Sequence, residues 1–121
     1  MIIKSDRITI KLLAGAPIVR GQVVHLSAPR VVAPSLAANG PLIIGVADES
    51  VSAGAPIDIV TEGIITVVAD GPIAVGDRVG VGVGVTTAGR VVALTTAGQI
   101  IGKALGSAVA GGSVDILVSL A

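Results

Sequence analysis

The residues able to do chemistry in this chain are few and scattered. His25 is the one histidine, there is no cysteine, and the acids are Asp6, Asp48, Glu49, Asp58, Glu62, Asp70, Asp77 and Asp115. A histidine serves as a general base when a carboxylate orients its ring and a nucleophile lies within reach. The neighbours of His25, Val23, Val24 and Leu26, offer neither. His25 therefore reads as a surface or interface residue. Asp48-Glu49 is the only adjacent acidic pair. Without clustered histidines or further acids it lacks the donor set of a transition-metal site. No catalytic residue, metal ligand or cofactor-binding residue is assigned.

Two glycine-rich stretches invite a phosphate-binding reading, and both fail on spacing. Gly80, Gly82 and Gly84 alternate with Val81, Val83 and Val85, which lacks the last gap of a dinucleotide fingerprint and leads into no helix. The stretch reads instead as a strand whose bare face lets another backbone approach. Gly98 to Ala104 has three residues between its glycines, and Ala104 stands where a P-loop needs a hydroxyl for magnesium.

The elements that hold these residues are told twice. Residues 15–60 and 71–118 overlay with an offset of about 57. Ala16-Pro17-Ile18-x-x-Gly21 returns as Gly71-Pro72-Ile73-x-x-Gly76, and Arg30-Val31-Val32-Ala33 returns as Arg90-Val91-Val92-Ala93. Ile43-Ile44-Gly45-Val46-Ala47 returns as Ile100-Ile101-Gly102-Lys103-Ala104, and Gly54-x-x-Ile57-Asp58 as Gly111-x-x-Val114-Asp115. Pro17, Gly21, Gly54, Pro72, Gly76 and Gly111 are the structural turn residues of this unit, because proline presets φ and glycine admits positive φ. Asp58 and Asp115 recur together, which gives them structural roles.

Composition sets the fold class. The chain has 121 residues, 52% of them hydrophobic, with no Phe, Tyr or Trp and Met1 as its one methionine. Its core must be Val, Ile, Leu and Ala, and β-branched residues favour strands. With 17 glycines and 6 prolines the expectation is an all-β domain, a small barrel or sandwich of about ten short strands in two pseudo-repeated halves. Residues 1–6 read as an N-terminal arm and 7–121 as one β domain. Strand 42–47 should be buried on both faces, the connector 48–54 has room for a helical turn, and Thr61-Glu62-Gly63 reads as a tight hairpin between strands 56–60 and 64–69. Asn39-Gly40 is a further turn signal.

Charge excludes several partner classes. Eight basic and eight acidic residues give a net charge of zero, so no field draws nucleic acid or an anionic membrane. No aromatic platform exists for single strands. The longest charge-free run, 31–47, is 17 residues and contains Pro34, Gly40 and Pro41, too short and too broken to span a bilayer. Met1-Ile2-Ile3 runs straight into Lys4, Asp6 and Arg7, so no signal peptide is expected. A neutral, apolar chain with only 13% charged residues should associate or dock. The one charge asymmetry is the N-terminal segment, where Lys4, Arg7 and Lys11 outnumber Asp6; it reads as a β-prone arm that adds to a partner's sheet edge or as an ordinary solvated edge.

The order of these motifs resembles a known family. Ala14-Gly15-Ala16-Pro17-Ile18, Ile43-Ile44-Gly45-Val46-Ala47, Gly71-Pro72-Ile73-Ala74-Val75-Gly76-Asp77 and Ala110-Gly111-Gly112-Ser113-Val114-Asp115 are similar to tailed-bacteriophage capsid cement, or head-decoration, proteins, over nearly the whole chain from Ile10. Members often carry an aromatic after the Gly-Asp/Gln turn, where this chain has Val24-His25 and Val79-Gly80. The resemblance implies a non-enzymatic virion protein, made in the host cytoplasm, that binds the outer capsid surface and stabilises the expanded head. It implies the major capsid protein as partner, a homo-oligomer with a trimer favoured, and no cofactor. Ile2, Ile3, Lys4 and Arg7 are then the capsid-binding residues. The alternative is a small β ligand-binding or carrier module without catalysis. Its one candidate lysine in the repeats, Lys103, falls in a predicted buried strand rather than a turn.

Overall fold

The computed structural model describes residues 7–36, 42–82, 85, 87–94 and 98–119. Its elements are strands: β1 (Ile8–Ala14), β2 (Val23–Ala28), β3 (Val31–Pro34), β4 (Ile43–Ala47), β5 (Pro56–Val68), β6 (Arg78–Gly82), β7 (Val92–Ala93), β8 (Gly98–Ala104) and β9 (Ser113–Ser119). The sheet order is β1-β3-β2-β4-β5-β9-β8-β6-β7, and β1 also pairs with β5. That extra pairing closes β1, β3, β2, β4 and β5 into a five-stranded barrel, so the barrel form of the expectation is the one adopted.

The strands beyond β5 follow the same plan. In the first ring β1 and β3 run parallel, Ala14 beside Val32. In the second, a parallel bridge joins Ala69 to Val91, with the Asp70 amide donating to Val91 O at 2.7 Å. This returns β7 to the end of β5. Isolated bridges Ile18–Val51 and Ile73–Ala108 staple matching loops. A bulge falls between Val24 and His25 on β2 and between Val79 and Gly80 on β6, and a bulge sharpens the local twist that a small ring requires.

A five-stranded ring leaves a narrow interior, which suits aliphatic side chains. Val24, Val32, Ile57 and Ile59 fill the first ring, and Val79, Val91, Val114 and Ile116 occupy the matching places in the second. Burying each such side chain contributes about 1.5–3 kcal/mol. The second cluster also contains Val23, Ile43, Val46 and Val60 from the outer face of the first ring, so β4 is buried on nearly all sides, as its unbroken apolar run predicts.

The described strands number nine. Two local expectations are corrected. Thr61-Glu62-Gly63 is no hairpin: it lies inside one 13-residue strand, β5. The two halves of β5 do not pair with each other because each already has a partner, β1 on one and β9 on the other. The string matching Arg30 to Arg90 is out by one residue. Arg30, at φ 61, corresponds to Gly89, at φ 87; the Ser35 amide reaches Val23 O as the Leu94 amide reaches Arg78 O. Residues 48–54 form bends and turns without helix. Asn39-Gly40 lies outside the described residues.

Candidate functional site

The polar side chains with chemical potential are spent on the scaffold. Asp58 sits opposite Lys11 and Asp115 opposite Thr66 on paired strands. Lys11 Nζ is 3.0 Å from Asp58 Oδ1, and that hydrogen bond, then the charge of Asp58, holds the exposed ammonium above its ordinary value of 10.5. Thr66 Oγ1 donates to Asp115 Oδ1. Glu49 accepts the Asp58 amide at 3.0 Å. Asp70 accepts the Thr87 amide at 3.0 Å and faces Arg90 Nη1 at 3.5 Å, which pins the turn before β7. His25 is half-buried with its Nδ1 3.4 Å from Ser35 Oγ, and among the described residues no carboxylate orients it. Among the described residues no three His, Cys, Asp or Glu side chains gather as a metal site.

The turn residues sit where the chain reverses. Gly21, Gly54, Gly76 and Gly111 have φ of 90, 88, 87 and 82. Pro17 and Pro72 precede the stapling bridges of Ile18 and Ile73. The Gly21 and Gly76 turns are each tied by a side chain three residues on: Gln22 Oε1 accepts the Val19 amide and Asp77 Oδ2 the Ala74 amide, both at 2.9 Å. Of the arm residues, Ile2, Ile3 and Lys4 lie outside the described residues. Arg7 is half-buried, its Nη1 2.5 Å from Asp48 Oδ1.

What the scaffold presents is a difference between its two halves. The end of the first ring carries Arg20 and Asp48, paired at 3.6 Å, and the Arg20 amide donates to Ser50 Oγ. The corresponding positions of the second ring hold Val75, Leu105 and Ser107. Val75 is 67% exposed, Leu105 46% and Val109 74%. A groove of about 290 Å³ beside them is lined by Thr66, Leu105, Ser107, Ser113 and Asp115, among others. The second ring thus ends in an apolar cap, with Asp115 in the groove beside it. Sequence reasoning passed over it, although laying Asp48 against Leu105 and Arg20 against Val75 would have exposed the contrast. Lys103 is exposed on β8, within a strand rather than on a hairpin turn, and nothing there favours a carrier lysine.

A family model described as phage cement protein matches residues 2–120. The chain belongs to the phage cement protein family. It is a capsid-binding structural protein of the phage virion. Among solved structures its fold is similar to the head fiber gp8.5 N base in bacteriophage phi29, with a TM-score of 0.64, 18% sequence identity, and 93% of each chain covered. At that identity the likeness speaks for the fold. No curated protein matches the chain. In a cement protein the surface is the functional site, and the polar groups above serve to shape it.

Proposed function

We propose that this cement protein docks on the outer surface of the expanded phage head and stabilises it without catalysis, as a homotrimer bound to the major capsid protein. The observation that carries this reading is the family match over residues 2–120. Two parts of the chain are the contacts in this reading. One is the N-terminal arm with Ile2, Ile3, Lys4 and Arg7, on a domain that begins at residue 7 and carries the doubled unit 15–60 and 71–118. The other is the apolar cap of Val75, Leu105 and Val109, which the shell would cover. Many small apolar contacts repeated over a lattice add up through effective concentration, so each subunit needs only a modest patch. Synthesis in the host cytoplasm precedes docking.

Co-sedimentation of the purified protein with undecorated expanded and unexpanded shells tests this. Saturable binding to expanded shells alone is the expected result. Absence of binding to either form would overturn it.

A further inference from the structure

The internal contact between the rings has a counterpart left open on the surface. Val23, Val46 and Val60 are direct neighbours across β2, β4 and β5 on the outer face of the first ring. With Ile43 they belong to the second ring's core. They form the floor on which the second ring stands, next to its end residues Ile65, Val81, Ile101 and Val118.

Each partner in that contact has an exposed equivalent. The matching row on the second ring is Arg78, Lys103 and Leu117, paired across β6, β8 and β9, with Ile64 opposite Leu117. Ile64, Ile100 and Leu117 are all exposed. The matching end of the first ring is Ile10, Leu26, Ile44 and Thr61, and among the described residues no second ring stands on it: Ile10 is 40% exposed where Ile65 is 2%, and Leu26, Ile44 and Thr61 are half-buried.

We propose that a second copy of the chain repeats this contact between molecules: the outer row of one copy's second ring covers the open end of the other copy's first ring. The occupant follows from continuity with the internal interface, since the same strand row meets the same kind of ring end. Arg78 and Lys103 replace Val23 and Val46, and both are exposed without an ion pair among the described residues. Burying cations needs a carboxylate. Glu62, exposed beside Ile8 at the rim of the open end, supplies one. The contact joins two different surfaces, so it is heterologous, and such contacts close into a ring when the rotation permits. This inference rests on the homo-oligomer of the proposed function and is independent of capsid binding.

Sedimentation velocity of the full chain tests it, alone and without shells. Leu117→Glu and Ile10→Glu each break one side at a half-exposed position. Each variant should be monomeric alone, and the equimolar mixture should form a heterodimer through the one intact pair of surfaces. The wild type should be a closed oligomer. If the Ile10 variant melts with the chain, Lys103→Glu takes its place: it should weaken association roughly tenfold or more, and Glu62→Lys on the same chain should restore it. A monomeric wild type, a Leu117→Glu variant of wild-type mass, or no restoration by Glu62→Lys overturns the proposal. Shell binding by the wild type is scored separately, so the two readings fail separately.

Discussion

Gly45 and Gly102 each lie against a carbonyl of the next strand. A Cβ on Gly45 would press into Val60 O, and one on Gly102 into Leu117 O. Backbone cannot yield as a flexible side chain can, so Gly45→Ala and Gly102→Ala should each lower the unfolding free energy by about 1–3 kcal/mol or more. Gly106→Ala meets nothing within 4 Å and should leave stability unchanged or raise it by up to about 1 kcal/mol. Urea unfolding read by far-UV circular dichroism measures this; equal effects at all three positions would refute the close-approach account. Gly111, at φ 82 in open space, isolates backbone conformation alone, and Gly111→Ala should cost about 1–2 kcal/mol. The turn glycines were legible in the sequence because their spacing repeats with proline. Gly45 and Gly102 repeat as well, but their reason is a neighbouring strand's carbonyl, which no sequence spacing reveals. Arg30 was misread through the string it shares with Arg90. Arg90 answers Asp70, whereas Arg30 occupies the left-handed position that Gly89 fills in the second ring.

At the scale of elements, β5 is the member on which both rings depend. Its first half pairs β1 and β4, its second half β9. Amides of Ile57, Ile59, Ile65 and Val67 should exchange hydrogen slowest in the chain, at the rate of global unfolding, while β7, with two residues, should exchange fastest among the strands. Mass-spectrometric exchange checks this, and two separate protection levels on either side of Gly63 would mean that the rings open independently. The alternation that makes β5 a strand was visible in the sequence. Its continuity was not, because Thr61-Glu62-Gly63 has turn composition, and what keeps the strand continuous through Gly63, at φ 125, is the pair of different partners recruited from residues 8–13 and 113–119.

For the whole molecule, the proposed docking rests on what the rings do not share. Val75→Asp combined with Val109→Asp places two charges on the apolar cap, where shell docking would have to desolvate them. Shell affinity should fall roughly tenfold or more at an unchanged melting midpoint. Arg20→Ala with Ser50→Ala at the polar end of the first ring should change affinity far less. Removing residues 1–6 should likewise weaken shell binding and leave the unfolding midpoint in place. Co-sedimentation isotherms and thermal melts on the same samples read both, and an unchanged isotherm for the cap variant would remove the cap from the docking surface. All-β class and aliphatic core could be read from composition and period. The cap was legible only as a contrast, Val75 against Arg20 and Leu105 against Asp48; that its side chains stand exposed was not, since exposed valines look the same in sequence as buried ones.

The shared strand has a mechanical consequence. At about 3.3 Å per residue, the 13 residues of β5 make a tie rod of at most about 43 Å, bonded along its flanks to β1, β4 and β9. A tensile load between the two ring ends runs along this rod and acts on the flanking ladders in shear, so several hydrogen bonds must give way at once instead of peeling singly. A head swollen by packaged DNA pulls its surface fittings in the plane of the shell, and a subunit laid with β5 in that plane would stretch little before it broke.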